Sequence, residues 1–233
     1  MSANRPQGPH VPVTAGRAPA QAVDEALEQL LVEVVEETRP APARTYADLR
    51  GLGAIVTGGA TGIGRAVALE LAQNGVHVAF NYVDEGDGRM REEAERTAAE
   101  LRLLEVQVLS VECDVRDPHL VERMVRRAKE AFGGLHILVN NAGIARDRAL
   151  WRMTDEQWRD VIETNLTGAF NMIRAVTPLF RAQQYGKIVN ISSIHGIRSE
   201  FGLSNYAASK AGLLGLTRSA AVELGPSNIN VNA

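Results

Sequence analysis

The stretch that decides the fold is Leu52–Gly64, LGAIVTGGATGIG. It opens with a short apolar run, as a strand buried on both faces requires, and closes on Gly58, Gly62 and Gly64 in a G-x-x-x-G-x-G spacing. A helical pattern then continues through Leu71. A tight turn needing positive φ explains one or two of these glycines, but not three at this spacing directly after a strand. Such a turn lets the backbone approach a phosphate closely and presents it to the free N–H groups and positive dipole end of the helix.

Working outward, the same alternation repeats. Apolar runs occur at VHVAFNY (Val76–Tyr82), VQVLSVECDV (Val106–Val115), HILVNNAG (His136–Gly143) and KIVNISS (Lys187–Ser193). Helical patterns lie between and after them at Met90–Leu104, Asp117–Phe132, Thr154–Gln184 and Asn205–Leu224. Strand and helix in alternation, with near-continuously apolar strands, predict an α/β fold. It is a Rossmann-type, doubly wound parallel sheet with right-handed crossovers and helices on both faces. The domain is read as 51–233.

Ahead of it, residues 1–21 are rich in Pro, Ala and Gly and are read as a disordered tail. Residues 22–37 place Val23, Leu27, Leu30, Leu31, Val34 and Val35 at three- and four-residue spacings, an amphipathic helix. Residues 38–50, with two prolines, are read as a linker. At 233 residues and 45% apolar composition the chain suits one α/β core with an appendage. A net charge of -3 provides no basic field for nucleic acid or an anionic membrane, and neither is expected as a partner. No run approaches the roughly 20 apolar residues of a membrane span. The lone Cys113 forms no internal disulfide, which suits a reducing, cytoplasmic compartment.

In such a sheet a ligand lies at the carboxyl ends of the strands. Asp114, ending the third run, either accepts a hydrogen bond from an adenine amino group or caps the following turn. In NNAG (Asn140–Gly143), the Asn side chains can tie neighbouring strands while Ala142 and Gly143 leave room for a flat ring. Three strand ends thus point to a dinucleotide. In NYAASKAG, Tyr206 and Lys210 stand four apart on one helix face. A phenol titrating near pH 10 is a poor acid–base group at neutral pH, and a nearby ammonium lowers that value. Ser193, at the end of KIVNISS, could hydrogen-bond a substrate carbonyl, with Ser192 as its structural neighbour. Asn165, within a helical pattern, could anchor a relay water through a buried amide.

Taken together, TGGATGIG, NNAG, Asn165, Ser193 and Tyr206-x-x-x-Lys210 resemble the short-chain dehydrogenase/reductase family over about residues 46–233. The resemblance implies an NAD(P)-dependent oxidoreductase with a catalytic tetrad of Asn165, Ser193, Tyr206 and Lys210, and no metal. It further implies that Tyr206 donates the proton, Ser193 polarises the carbonyl, Lys210 lowers the Tyr206 pKa and binds ribose, and Asn165 anchors the water. By the same resemblance the cofactor-binding residues are Thr57, Gly58, Thr61, Gly62, Ile63, Gly64, Asn81, Tyr82, Asp114, Val115, Asn141, Ala142 and Gly143, with Tyr206 and Lys210.

Within the family, GIARD is similar to a run in 3-oxoacyl thioester reductases, and FGLSNY to one in acetoacetyl-CoA reductases. The implied reaction is reduction of a 3-oxoacyl thioester, carried by CoA or an acyl carrier protein, in fatty acid biosynthesis. Gln184 and Ser227 stand where carrier-protein enzymes of the family tend to have basic residues. Alternatives are another secondary alcohol, sugar or polyol as substrate, or a cofactor-binding but inactive scaffold. The second run ends in FNY without an acid, which favours NADP(H) over NAD(H), while Thr61 stands where many NADP(H) enzymes carry a base. A homodimer or homotetramer is expected. Finally, GPSNINVNA (Gly225–Ala233) reads as a strand cut off after it has begun. In the family that strand leads to a turn at the nicotinamide, a substrate-covering segment, a helix and a last strand, so the domain is expected to be C-terminally incomplete.

Overall fold

The computed structural model describes residues 47–233. The tail at 1–21, the helix at 22–37 and the linker up to residue 46 lie outside the described residues. The linker's last residues belong to the domain: Ala47–Leu49 form a short 3-10 turn, and Leu49 packs on the core.

Six strands form one parallel sheet: β1 (Gly53–Val56), β2 (His77–Tyr82), β3 (Val108–Glu112), β4 (Ile137–Asn140), β5 (Gly186–Asn190) and β6 (Ile229–Asn232). Their order is β3-β2-β1-β4-β5-β6. The order reverses between β1 and β4, which pair through Ala54↔Ile137, Ile55↔Leu138 and Val56↔Val139, and a crevice opens above that point. The helices are α1 (Gly62–Gln73), α2 (Arg89–Arg102), α3 (Pro118–Phe132), α4 (Asp155–Ile162), α5 (Gly168–Gln183) and α6 (Ser204–Leu224). No helix among the described residues is long and apolar enough to cross a membrane.

Alternate strand residues feed two cores. Ala54, Val56, Val78 and Phe80 pack with Ala68 and Ala72 of α1 and Ala94, Ala98 and Leu101 of α2. Ile55, Ala79, Leu138 and Ile188 pack on the other face with Val121 and Met124 of α3 and Met172, Val176 and Phe180 of α5. β6 alternates buried Ile229 and Val231 with exposed Asn230 and Asn232, and pairs with β5.

Local chemistry sets the helix ends. Asp117 caps α3 by accepting from the N–H groups of His119 and Leu120, Pro118 follows at the first position, and Gly133 closes the helix at φ 71°. Thr154 and Gln157 form a reciprocal capping box on α4.

The structure departs from the single helix expected over Thr154–Gln184. A π-helical turn at Glu163–Thr167 divides it into α4 and α5, and Asn165 sits in that turn. The Asn165 side chain accepts from the Ile144 N–H at 2.8 Å and donates to the Ile144 carbonyl at 3.0 Å. That two-point grip on the loop after β4 holds the extra residue of the turn inward, and π turns of this kind recur at functional sites.

Candidate active site

A cleft of about 760 Å³ opens at the carboxyl ends of β1–β5. Its floor is the glycine turn. Gly62 lies at φ +56°, a conformation L side chains rarely adopt, with open space where a Cβ would project. At Gly64 a Cβ would lie 2.3 Å from the Gly58 carbonyl oxygen and 2.4 Å from the Asn141 Nδ2. Thr61 precedes α1 in extended conformation and makes no side-chain cap, so the first N–H groups of the helix have no partner from that side chain. A pyrophosphate fits these features, since the glycines clear the space and the helix terminus supplies donors.

Three polar side chains at this floor fix the strand ends. The Thr57 hydroxyl accepts from the backbone N–H groups of Asn141 and Ala142, both at 2.9 Å. Asn141 returns the tie by donating to the carbonyls of Thr57 at 2.9 Å and Gly58 at 3.2 Å. Asn81 accepts from the Gly58 N–H at 3.1 Å and donates to the Cys113 carbonyl at 2.6 Å. One amide thus joins the ends of β1, β2 and β3. Burial pushes the Cys113 thiol up to about 11, so this cysteine is a packing residue.

Of the expected cofactor residues, Gly58, Thr61, Ile63, Asn81, Tyr82, Asp114, Val115, Asn141, Ala142, Gly143, Tyr206 and Lys210 line the cleft. Thr57, 1% exposed, acts from beneath it. Gly62 and Gly64 shape the turn, and neither lines the cleft. The Asp114 side chain makes turn-forming bonds. Its carboxylate accepts from the Arg116 backbone N–H at 2.9 Å and from the Arg116 guanidinium at 2.7–3.1 Å. Burial pushes the Asp114 carboxyl up, but the Arg116 bonds together outweigh it and hold it below its ordinary value. Arg116 also reaches Asp160 of α4 at 3.5 Å, so a charged latch crosses the cleft wall.

At the other end, Tyr206 and Lys210 line the same cleft from the first two turns of α6. The Lys210 Nζ lies 5.6 Å from the Tyr206 ring centroid and donates to the Ile191 carbonyl at 2.7 Å. Two of its three N–H donors remain for a ligand. Burial lowers the Lys210 pKa. Ser192 lines the cleft and donates to the Lys210 carbonyl at 3.1 Å, whereas Ser193 lies outside that lining. Ser193 begins the turn Ile194–Gly196, and its oxygen accepts from the His195 N–H at 3.1 Å while its own proton stays free to donate. The His195 ring meets the Tyr206 ring edge-on at 6.1 Å. Asn165, 1% exposed, lies behind the cleft with both N–H donors engaged, by Ile144 and by the Ser209 hydroxyl at 3.1 Å. One lone pair of its oxygen is left for a water.

Several residues of this site escaped the sequence reading: Arg116 and Asp160, the carbonyl of Ile191, and the pair Asn205 and Ser209. Only Asn205, a polar residue beside Tyr206 in the first turn of a helix, left a local sign.

Comparison with known proteins agrees with this geometry. Residues 53–233 match the family described as short chain dehydrogenase. The chain is 44% identical over 180 residues to the 3-oxoacyl-[acyl-carrier-protein] reductase FabG of Staphylococcus aureus, covering 77% of this chain and 71% of that protein. It is 42% identical over 180 residues to the acetoacetyl-CoA reductase of Paracoccus denitrificans, covering 77% and 70%. The structure resembles that of an NAD+-bound xylitol dehydrogenase with a TM-score of 0.75 and 33% identity, over 79% of this chain and 69% of that one. The chain belongs to the short-chain dehydrogenase family and is an NAD(P)-dependent oxidoreductase.

Proposed function

We propose that the protein reduces a 3-oxoacyl thioester to its 3-hydroxyacyl form in the cytoplasm. The observation that carries the reading is the placement of Tyr206 and Lys210, one helical turn apart, in the same cleft as the glycine turn. Relatives named for 3-oxoacyl and acetoacetyl thioester reduction support the substrate class. The turn at 58–64 would hold the pyrophosphate, the Asp114–Val115 corner the adenine, and Lys210 the nicotinamide ribose. When bound, the nicotinamide supplies the hydride. Tyr206 delivers the proton to the carbonyl oxygen, Ser193 donates a hydrogen bond to that oxygen, and the Lys210 ammonium stabilises the charge left on the phenol oxygen. Asn165 holds the loop after β4, and its free lone pair would hold the relay water.

NADP(H) is the proposed preference, because Asn81 and Tyr82, rather than an acid, end β2. A homodimer or homotetramer is proposed on the half-exposed Trp158 of α4 and Phe170 of α5. The similarity to xylitol dehydrogenase favours a second reading, oxidation of a polyol.

The test is turnover of acetoacetyl-CoA with NADPH and NADH, beside xylitol with each oxidised cofactor. Reduction with NADPH, lost by roughly a hundredfold or more in Tyr206→Phe while cofactor binding persists, is the expected result. Polyol oxidation alone would replace the first reading by the second, and cofactor binding without any turnover would sink both.

A further inference from the structure

Asn205 is fully buried at the start of the catalytic helix, yet it is neither a core-former nor a member of the tetrad. Its position is unusual in a second way. Leu203, the residue capping α6, offers no side-chain acceptor, so the first turn lacks the usual polar cap. Asn205 supplies one of the missing bonds from inside the helix. Its Oδ1 accepts from the Tyr206 N–H at 2.7 Å, and its Nδ2 donates to the carbonyls of Arg146 and Gln157, both at 3.0 Å. The first carbonyl lies in the loop after β4 that lines the cleft, the second in α4.

The other side of Tyr206 is tied to the same loop. The Ser209 hydroxyl donates to the Tyr206 carbonyl at 2.7 Å and accepts from Asn165, whose amide grips both backbone groups of Ile144. The bonds close a circuit from the Tyr206 N–H through Asn205 to Arg146, along two residues of loop to Ile144, and back through Asn165 and Ser209 to the Tyr206 carbonyl. Both donors of each amide are used, as a buried polar network requires.

We propose that Asn205 is a positioning residue: it fixes the catalytic phenol of Tyr206 against the loop 144–146, so that the proton donor and the cleft wall move as one body. The proposal rests on Tyr206 being the proton donor. Misplacing a reacting group by about 1 Å costs roughly a hundredfold in rate, which sets the scale of the effect.

The test compares Asn205→Ala and the isosteric Asn205→Asp with Gln183→Ala in the full chain. Gln183 is a matched control, since its amide also bonds two carbonyls, those of Leu135 and Tyr185, at the opposite end of the sheet. All three should melt at lower temperature than the parent. Both Asn205 variants should lose roughly ten- to hundredfold in kcat on whichever carbonyl the parent reduces, with KM and cofactor Kd within about twofold, while Gln183→Ala keeps kcat. Hydrogen exchange read by mass spectrometry needs no substrate. Peptides spanning 203–210 and 144–148 should exchange faster together in whichever Asn205 variant folds, and not in Gln183→Ala. Unchanged exchange at 144–148, or kcat kept within twofold where the parent turns over, would overturn the proposal. A parent without turnover would fail the functional reading alone, leaving the exchange result to decide this one.

Discussion

Replacing Gly64 by Ala tests whether the turn before α1 is a phosphate cradle or merely a tight bend. The added Cβ would lie 2.3 Å from the Gly58 carbonyl oxygen and 2.4 Å from the Asn141 amide nitrogen, where such contacts under 3.0 Å essentially never occur. The turn must therefore open by about 0.7 Å. Neither neighbour yields easily: Gly58 is pinned by Asn81 and Asn141 by Thr57. Overpacking of this kind costs about 1–3 kcal/mol, or roughly 5- to 150-fold in cofactor Kd if the strain is relieved by moving the turn. Two other glycines calibrate the result. Gly62→Ala meets no atom within 4 Å but adopts φ +56°, which costs about 1–2 kcal/mol of strain. Gly215→Ala, inside α6 and with open space around it, should stabilise by about 0.5–1 kcal/mol. The assay is a melt for each variant with and without NADPH, together with cofactor titration by fluorescence. For a chain of this size 1 kcal/mol moves Tm by about 2–4 °C. A Gly64→Ala protein that melts with the parent and binds cofactor within twofold would refute the reasoning.

Two further outcomes are expected. The His136 Nδ1 accepts from the Gly53 N–H at 3.0 Å, and burial lowers the His136 pKa below 6.5. The unfolded chain then takes up a proton there before the folded one does, so stability is fully present above about pH 6.5 and declines as pH falls through the folded value. His136→Asn keeps an acceptor near Nδ1 without titrating, and should flatten the dependence of Tm on pH below about 6.5; an unchanged slope would show that His136 is not its source. Cys113, 2% exposed and with its thiol pushed up to about 11, should resist a disulfide reagent in the native protein at pH 8 and react after denaturation. Labelling of the native protein at the denatured rate would contradict its burial.

The parts of this molecule legible in the sequence are those fixed by nearby residues. The turn at Gly58–Gly64 needs its conformation within seven positions, Tyr206 and Lys210 share a face because of the helical period, and alternation of strand and helix gives a parallel sheet. What stayed hidden depends on chain segments that meet only after folding. Asn165 lies in an unbroken helical pattern, and only the folded chain shows Ile144, 21 positions away, drawing its amide inward and the helix taking a π turn. Asn205 finds Arg146 at a separation of 59 residues, and Asn81 finds Cys113 at 32. Asp114 suits a base or a turn by its position alone, and the Arg116 side chain that curls back on it is met only in the folded chain.

One feature of the frame bears on how the enzyme meets its surroundings. The groups that hold the cleft in shape, Asn81, Asn141, Asn165 and Asn205 with Thr57 and Ser209, are amides and hydroxyls that carry no charge at any physiological pH. Salt does not screen such bonds, and acid or base within the working range does not dissolve them. Changes of medium therefore reach the cleft through the ions that line it, Lys210, Arg146, Glu85 and the Asp114–Arg116–Asp160 latch, while the uncharged scaffold between them is chemically silent.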